Sequence, residues 1–478
     1  MVIIFSVLGF LFFFLSVLLL RAACFRPKEQ SYESAEPLQI DTQQAISALQ
    51  ALVRCKTVSY SDPTLEDHEA FEDLVELLPK IYPRVFETCT VSQFPERGLL
   101  LKWPGNASNY PRVFMAHYDV VPADEDQWNK PAFEGIIEND YLWGRGTLDT
   151  KATVNGILSA AEHLIAEGFC PEQDCYFAFS GSEEINGNGA KYIVDHFLSQ
   201  GIQPAFVLDE GGAVVENVFP GVTSECALIG IGEKGMINVE YSVSSVGGHA
   251  SAPGVDTPVS LLSGACLKVL NHPFKMRINE PAAQLFDTLG RHSTFLYKII
   301  FANLWCFRPL LDLICRGSGG ELNALVRTTT AFTQMEGSTA RNVLPTQAKM
   351  VSNMRLNPGD TIDQAMDHLN RVVSDPRVKL HLLEGFQPSP VSQTDCDAYR
   401  TVSKVISQTW PGAIVSPYLM IQCSDARHYG ILCDRVYRFS PMKLSSDERK
   451  TIHGNNERIP LETITKTVEF YIRLMKHR

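Results

Sequence analysis

AHYDVVPA (116–123), YLWGRGTLDTKA (141–152) and FSGSEEINGNGA (179–190) are three pieces of one stretch, and their reading decides the fold. An apolar run at 112–121 carries the first piece and reads as a buried strand. Residues two apart on a strand share a face. His117 and Asp119 would therefore point together from its C-terminal end, where open α/β sheets hold their ligands. Gly144-Arg145-Gly146-Thr147 is a turn with Asp149 just beyond it, and 151–168 continues as an amphipathic helix. A strand at 175–179 precedes Glu183 and Glu184; a helix at 189–200 and a strand at 205–208 follow. Such alternation implies an α/β fold, a mostly parallel sheet covered by helices.

The polar residues at the ends of these elements are oxygen and imidazole donors. A metal-bound His usually donates its other ring N–H to an acceptor that fixes the tautomer, and Asp119 is placed to accept. Asp149, at a strand-to-helix turn, can offer one oxygen to each of two ions. Glu183 and Glu184 are adjacent and point to different sides. One can ligate while the other takes and returns a proton. Asp209 in VLDEGG and His453 in IHGNNE complete the candidates. Mixed carboxylate and imidazole donors suit zinc, with cobalt or manganese as possible substitutes.

As a set and in this order, the motifs resemble the superfamily of dinuclear zinc hydrolases that includes aminoacylases, carboxypeptidases and dipeptidases. The likeness runs from about residue 40 to the end. It implies two zinc ions: His117 and Asp209 on one, Glu184 and His453 on the other, Asp149 bridging both. It makes Glu183 the general base and Asp119 the residue that orients His117. Degenerate binding proteins of such a lineage lose a ligand or the base, and here none of the seven is lost.

The resemblance also implies a lid or dimerisation domain inserted at 236–384, between catalytic segments 40–235 and 385–478. Strands at 237–244, 328–334, 349–356 and 378–383, with helices at 258–270 and 361–373, suit a small α+β unit. Within it His249, in GGHAS, matches a lid histidine that approaches the substrate carbonyl, or is a turn residue beside two glycines. Asn342 in RNVLP and Arg355 in SNMRLNPGD match substrate-gripping positions; an Arg fork suits a free carboxylate. Asn342 could equally cap a turn before Pro345, and Arg355 could be a surface strand residue. Asp425, in CSDAR, resembles a position near the site and is given no role.

With 478 residues the chain exceeds one ordinary core. Its net charge of −12 argues against nucleic acid as a partner. Residues 1–23 are a signal peptide or a signal anchor: VIIFSVLGFLFFFLSVLLL (2–20) precedes Arg21. The bases follow the apolar run, which for an anchor would leave the enzyme in the cytosol; the expectation is nevertheless entry into the secretory pathway, as a secreted or a membrane-anchored protein. Residues 85–101 read as short alternating strands and 31–38 as a polar linker. Cys170 and Cys175 are near enough to bridge, or are free thiols like the other cysteines. Asn106-Ala107-Ser108 is a glycosylation sequon.

An insertion at about 281–320 holds FLYKIIFANLWCFRPLLDLI (295–314), which reads as a buried helix, an apolar wall for a greasy substrate or a membrane face. With the N-terminal run, ELNALVRTTTAF (321–332) and the C-terminal tail, it resembles the N-fatty-acyl-amino acid synthase/hydrolase branch, to which carboxypeptidase S is related in layout. The expected activity is hydrolysis of N-acyl, chiefly N-fatty-acyl, amino acids, with condensation of a fatty acid and an amino acid as its reverse. A carboxypeptidase or dipeptidase acting on short peptides is the alternative. The expected partners are the small substrate, a membrane or lipoprotein, and a second copy through the lid.

Overall fold

The computed structural model describes residues 1–28 and 35–477; residues 31–34 of the expected linker lie outside the described residues. Eight strands form the central sheet. Their order is Thr90–Phe94, Gly98–Trp103, Gln173–Ser180, Ala107–His117, Phe206–Val215, Val436–Leu444, Cys226–Glu233 and Ile414–Met420. The middle is parallel, with Ala107–His117 between Gln173–Ser180 and Phe206–Val215, and Val436–Leu444 beyond. Strand alternation sorts the apolar residues into two cores. Phe114, Phe177 and Leu208 pack under the helices Lys151–Ala166 and Leu461–Lys476, while Val113, Met115 and Val207 pack under Gly189–Ser199.

Two expectations are corrected here. The strand read as 112–121 ends at His117, because the backbone turns and Val120 instead bridges Val58. The strands read from residue 85 begin only at Thr90. Pro83–Thr88 is a helix, with Pro83 in the first turn where its missing N–H costs nothing.

A separate antiparallel sheet has the order Thr329–Glu336, Gln347–Leu356, Gly235–Ser244, Lys379–Phe386. Helices Pro258–Asn271 and Ile362–Val373, each opened by a threonine capping box, cover it with a core of their own that includes Val239, Tyr241, Leu262 and Leu369. The molecule is thus a mostly parallel α/β unit with an inserted α+β domain.

The helices Glu280–His292, Phe295–Phe301, Leu304–Ser318 and Gly320–Val326 lie within the inserted stretch but pack on the larger unit. Phe286, Leu289, Phe301 and Leu311 belong to its core rather than the lid's. The apolar run 295–314 is therefore two helices, broken at Ala302-Asn303. Their inner face buries Phe301, Leu311 and Cys315; Leu296, Trp305 and Leu313 face outward, 60–70% exposed. Val2–Cys24 is one helix resting on this pair through Leu18 and Ala22, and among the described residues it alone is long and apolar enough to cross a membrane. All twelve cysteines, Cys170 and Cys175 included, are free.

A three-stranded ribbon, Ile136–Glu138, Tyr141–Trp143 and Arg458–Pro460, completes the frame. It pins the end of the chain beside the turn that carries Asp149.

Candidate metal centre

The parallel strands deliver their C-terminal ends to one edge of the sheet. His117 is the last residue of its strand and is 1% exposed. Its Nδ1–H donates to the Asp119 carbonyl (3.0 Å), with the Asp119 carboxylate at 3.3 Å. Asp119 thus holds the ring mainly through its backbone, because the strand has already turned. Its carboxylate accepts the backbone N–H groups of Glu183 and Glu184 (3.2 and 3.1 Å) and the Ser59 hydroxyl (2.7 Å), fixing the acidic pair.

With Nδ1 carrying the proton, Nε2 of a neutral His117 is a lone pair. It faces Asp149 Oδ1 at 3.1 Å, Glu210 Oε1 at 3.3 Å and Glu183 Oε2 at 4.0 Å. A lone pair among carboxylates is repulsive unless a cation stands between them. The second oxygen of Asp149 lies 3.0 Å from Nε2 of His453, which is 3.0 Å from Glu184 Oε2. One carboxylate therefore spans two imidazoles, and Glu183 and Glu184 serve opposite sides of it.

Glu457 holds this arrangement from behind. Completely buried, it accepts Arg145 Nη1 (2.7 Å) and the backbone N–H groups of Gly146, Leu148 and Asp149 (3.1, 2.7 and 3.3 Å). Arg145 also donates to the Gly454 carbonyl (2.8 Å), so one ion pair fixes both the Asp149 turn and the loop of His453.

Burial pushes the Glu210 carboxyl up to about 8 and Asp209 to about 6, and raises Glu183 and Glu184 as well. Burial would also raise Asp149, but hydrogen bonds from both histidines hold it well below the carboxylate range. Desolvation would lower His117, yet Glu210, Asp119 and Asp149 keep it far above its ordinary value. Six buried or half-buried acids meet here, Asp119, Asp149, Glu183, Glu184, Glu210 and Asp425, and the Glu184 Oε1 and Asp425 Oδ1 atoms are buried without a hydrogen-bond partner. Such a donor set fits divalent cations. His117, Asp149 and Glu184 offer one group of ligand atoms within bonding range of a common ion; His117, Glu183 and Glu210 offer another.

Of the expected residues, His117, Asp119, Asp149, Glu183, Glu184 and His453 come together. Asp209 does not. It turns the other way and accepts the Ala426 N–H (2.8 Å), while Glu210 faces His117. The sequence carried a signal for this, since adjacent strand residues face opposite sides, but not which of the two acids looks inward. Asp425 accepts the Ser180 hydroxyl and lies near Glu183. His249 and Asn342 sit together on an exposed lid ribbon, where the Ala250 N–H donates to the Asn342 carbonyl (3.0 Å) and Ser251 donates to His249 Nδ1 (3.1 Å). Both lie outside the cluster. Arg355 is half-buried and donates to Cys423, which lines the cavity at the cluster. Glu210, Glu457 and Arg145 are the site's unanticipated members.

His453 gives a pH test. Hydrogen bonds to Asp149 and Glu184 push its imidazole up to about 10, so without metal it keeps its proton near neutrality and loses it only as pH rises through that value. A metal needs the neutral ring, and binding must displace the proton. Retention against a chelator should weaken from about pH 8 to about pH 6; equal retention at both would remove His453 from the ligand set.

The sequence matches the family model "Peptidase family M20/M25/M40" over residues 113–477. It is 35% identical to the probable carboxypeptidase S-like 2 of Dictyostelium discoideum, covering 97% of this chain and 92% of that one. It is 36% identical to the N-fatty-acyl-amino acid synthase/hydrolase PM20D1 of Xenopus tropicalis, covering 91% and 86%. In fold it is similar to the M20 family metallo-carboxypeptidase Sso-CP2 of Sulfolobus solfataricus, with TM-score 0.66, 17% identity and 90% and 98% coverage. It is also similar to YXEP of Bacillus subtilis, a dinuclear metal binding peptidase, with TM-score 0.55, 13% identity and 91% and 97% coverage. Site geometry and sequence agree: the chain belongs to peptidase family M20/M25/M40 and is a metallohydrolase.

Proposed function

We propose that the protein hydrolyses the amide bond of N-acyl amino acids with long aliphatic acyl chains, and can run the same reaction in reverse, joining a fatty acid to an amino acid with release of water. The supporting observation is the cavity at the cluster. It has a volume of about 550 Å³, and its walls include Asp149, Glu183, Glu184, Glu210 and His453 at one part and Leu148, Val215, Val218, Phe219, Leu285, Leu289, Leu322 and Leu325 elsewhere. A dipeptide needs no such length of apolar wall. The relatives named as N-fatty-acyl-amino acid synthase/hydrolase support the reading, and those named carboxypeptidase S-like support the alternative, cleavage of short peptides at the same centre.

Two zinc ions fit the mixed donors. His117 and Glu210 would serve one and Glu184 and His453 the other, with Asp149 shared; Asp209, the ligand expected from the family pattern, stands one residue away on the opposite face. When bound, the ions would polarise the amide carbonyl and acidify water. Glu183 takes the water's proton and returns it to the leaving nitrogen. Its raised affinity for a proton suits that exchange. Asp119 keeps His117 in the tautomer that frees Nε2. Arg355 has no acidic partner among the described residues, and it would hold the amino acid's carboxylate. His249 and Asn342 would reach substrate only after lid movement or from the lid of a second copy. The N-terminal helix would take the chain into the secretory pathway or anchor it.

The test is an acyl series on the zinc-loaded protein. Each methylene buried contributes about 0.8 kcal/mol. kcat/KM for N-acyl phenylalanines should therefore rise roughly fourfold per added methylene until the cavity is filled, and a chelator should abolish turnover. A flat series with efficient dipeptide cleavage would favour the peptidase reading.

A further inference from the structure

We propose that the outward face of the insert helices Phe295–Phe301 and Leu304–Ser318, together with the N-terminal helix, rests on an anionic phospholipid bilayer, so that lipid-dissolved substrate reaches the cavity behind them. The proposal rests on the acyl-amide reading of the site for its substrate, but its surface is argued independently.

The N-terminal helix is not a free tail. Asn303, fully buried, donates to the Leu18 carbonyl (3.1 Å), Arg21 donates twice to the Ala302 carbonyl (3.1 and 3.0 Å), and the rings of Phe14 and Trp305 meet edge to face at 6.0 Å. A membrane that takes up the exposed remainder of this helix therefore also fixes the level of the insert. Arg21 is the first charge and marks the water edge. Phe14 lies seven residues deeper, about 10 Å at 1.5 Å per residue. Trp305 must then lie at that depth too, within the ~5–10 Å that helices lying in a membrane interface reach.

Composition fits the same placement. Leu296, Trp305, Leu313 and Ile314 are exposed on the insert. Segments 1–28 and 295–318 carry six basic side chains against the single acid Asp312, in a chain whose net charge is −12. Lys28 pairs with Asp287 and Arg316 with Asp312, and the remaining bases leave an excess of positive charge on the segments that carry the exposed apolar side chains, which suits anionic headgroups over acyl chains. The cavity lies one layer behind. Phe219, in its wall, packs against Phe301 with the rings tilted and their centroids 4.6 Å apart, and Leu285 and Leu289 of the adjoining helix line it.

The experiment uses the full chain, zinc-loaded, in phosphatidylcholine vesicles containing phosphatidylserine. The parent is compared with a Leu296→Glu/Leu313→Glu variant, whose exposed sites leave the core intact. The variant should lose about a hundredfold or more in kcat/KM for a long-chain N-acyl amino acid dissolved in the vesicles, the lower end of what two leucines buried at a membrane face contribute, and match the parent on a water-soluble short-chain one. Equal rates on both would overturn the proposal. If neither chain cleaves either substrate, the proposed function has failed, and the surface is judged by fluorescence. Brominated lipids should quench the parent, and Trp305→Phe should remove that quenching. Unchanged quenching in Trp305→Phe, or none in the parent, overturns docking. So does a dimer in sedimentation that the double variant dissolves.

Discussion

A Glu183→Gln variant is expected to bind metal as the parent does and to lose turnover by roughly 10²–10⁴-fold, the usual contribution of a positioned general acid–base. The amide keeps the shape of the carboxylate and the backbone contact of residue 183 with Asp119 Oδ1 (3.2 Å), so the strand edge is undisturbed. What disappears is the ability to take a proton beside His117 and hand it on. Glu183 stands 4.0 Å from Nε2 of His117, against 3.1 Å for Asp149, so it is the looser of the two acids there. Metal content by elemental analysis and turnover of an N-acyl amino acid decide the matter. Near-parental turnover would pass the proton task to a neighbour, with Glu210 and Asp425 first in line. Lost metal would make Glu183 a ligand.

Glu457→Ala should cost about 3–5 kcal/mol of stability, the usual penalty for leaving a buried ionic partner unpaired. Arg145 would keep its charge at 2% exposure, and three backbone N–H groups around Asp149 would lose their acceptor. The loss should appear in denaturant unfolding and, because the same residue sets the Asp149 turn, in weakened metal retention. An Arg145→Met/Glu457→Met double variant should recover part of the stability, by removing both charges, but not the metal retention, since the backbone groups stay unpaired. A Glu457→Ala chain as stable as the parent would show that the turn is held by other contacts.

The strand-then-acid rhythm of 112–209 was legible because each strand is apolar on both faces and ends in polar residues, a pattern that only a covered parallel sheet requires. His117, Asp149 and the Glu pair followed from it. Choosing between Asp209 and Glu210 was harder. The inward face depends on the ladder, and the pairing of Phe206–Val215 with Val436–Leu444 shifts register just after Asp209. A shift of that kind has no local sequence mark. Glu457 was invisible for a different reason: its partners lie some three hundred positions away, joined to it by the ribbon Tyr141–Trp143 with Arg458–Pro460. The run 295–314 is plainly apolar in sequence, but the sequence does not say that its break falls at Asn303, because what Asn303 satisfies is the carbonyl of Leu18, 285 positions earlier.

That ribbon has a consequence for how the enzyme comes to life. Tyr141–Trp143 is made some three hundred residues before Arg458–Pro460, which has His453 and Glu457 beside it. A ribosome-bound chain can complete most of the sheet and still own only half a cage. Activity is thereby withheld until His453 and Glu457 have been made, and a message truncated shortly before His453 yields a chain that lacks half the cage and also the helix Leu461–Lys476 that covers the sheet's core.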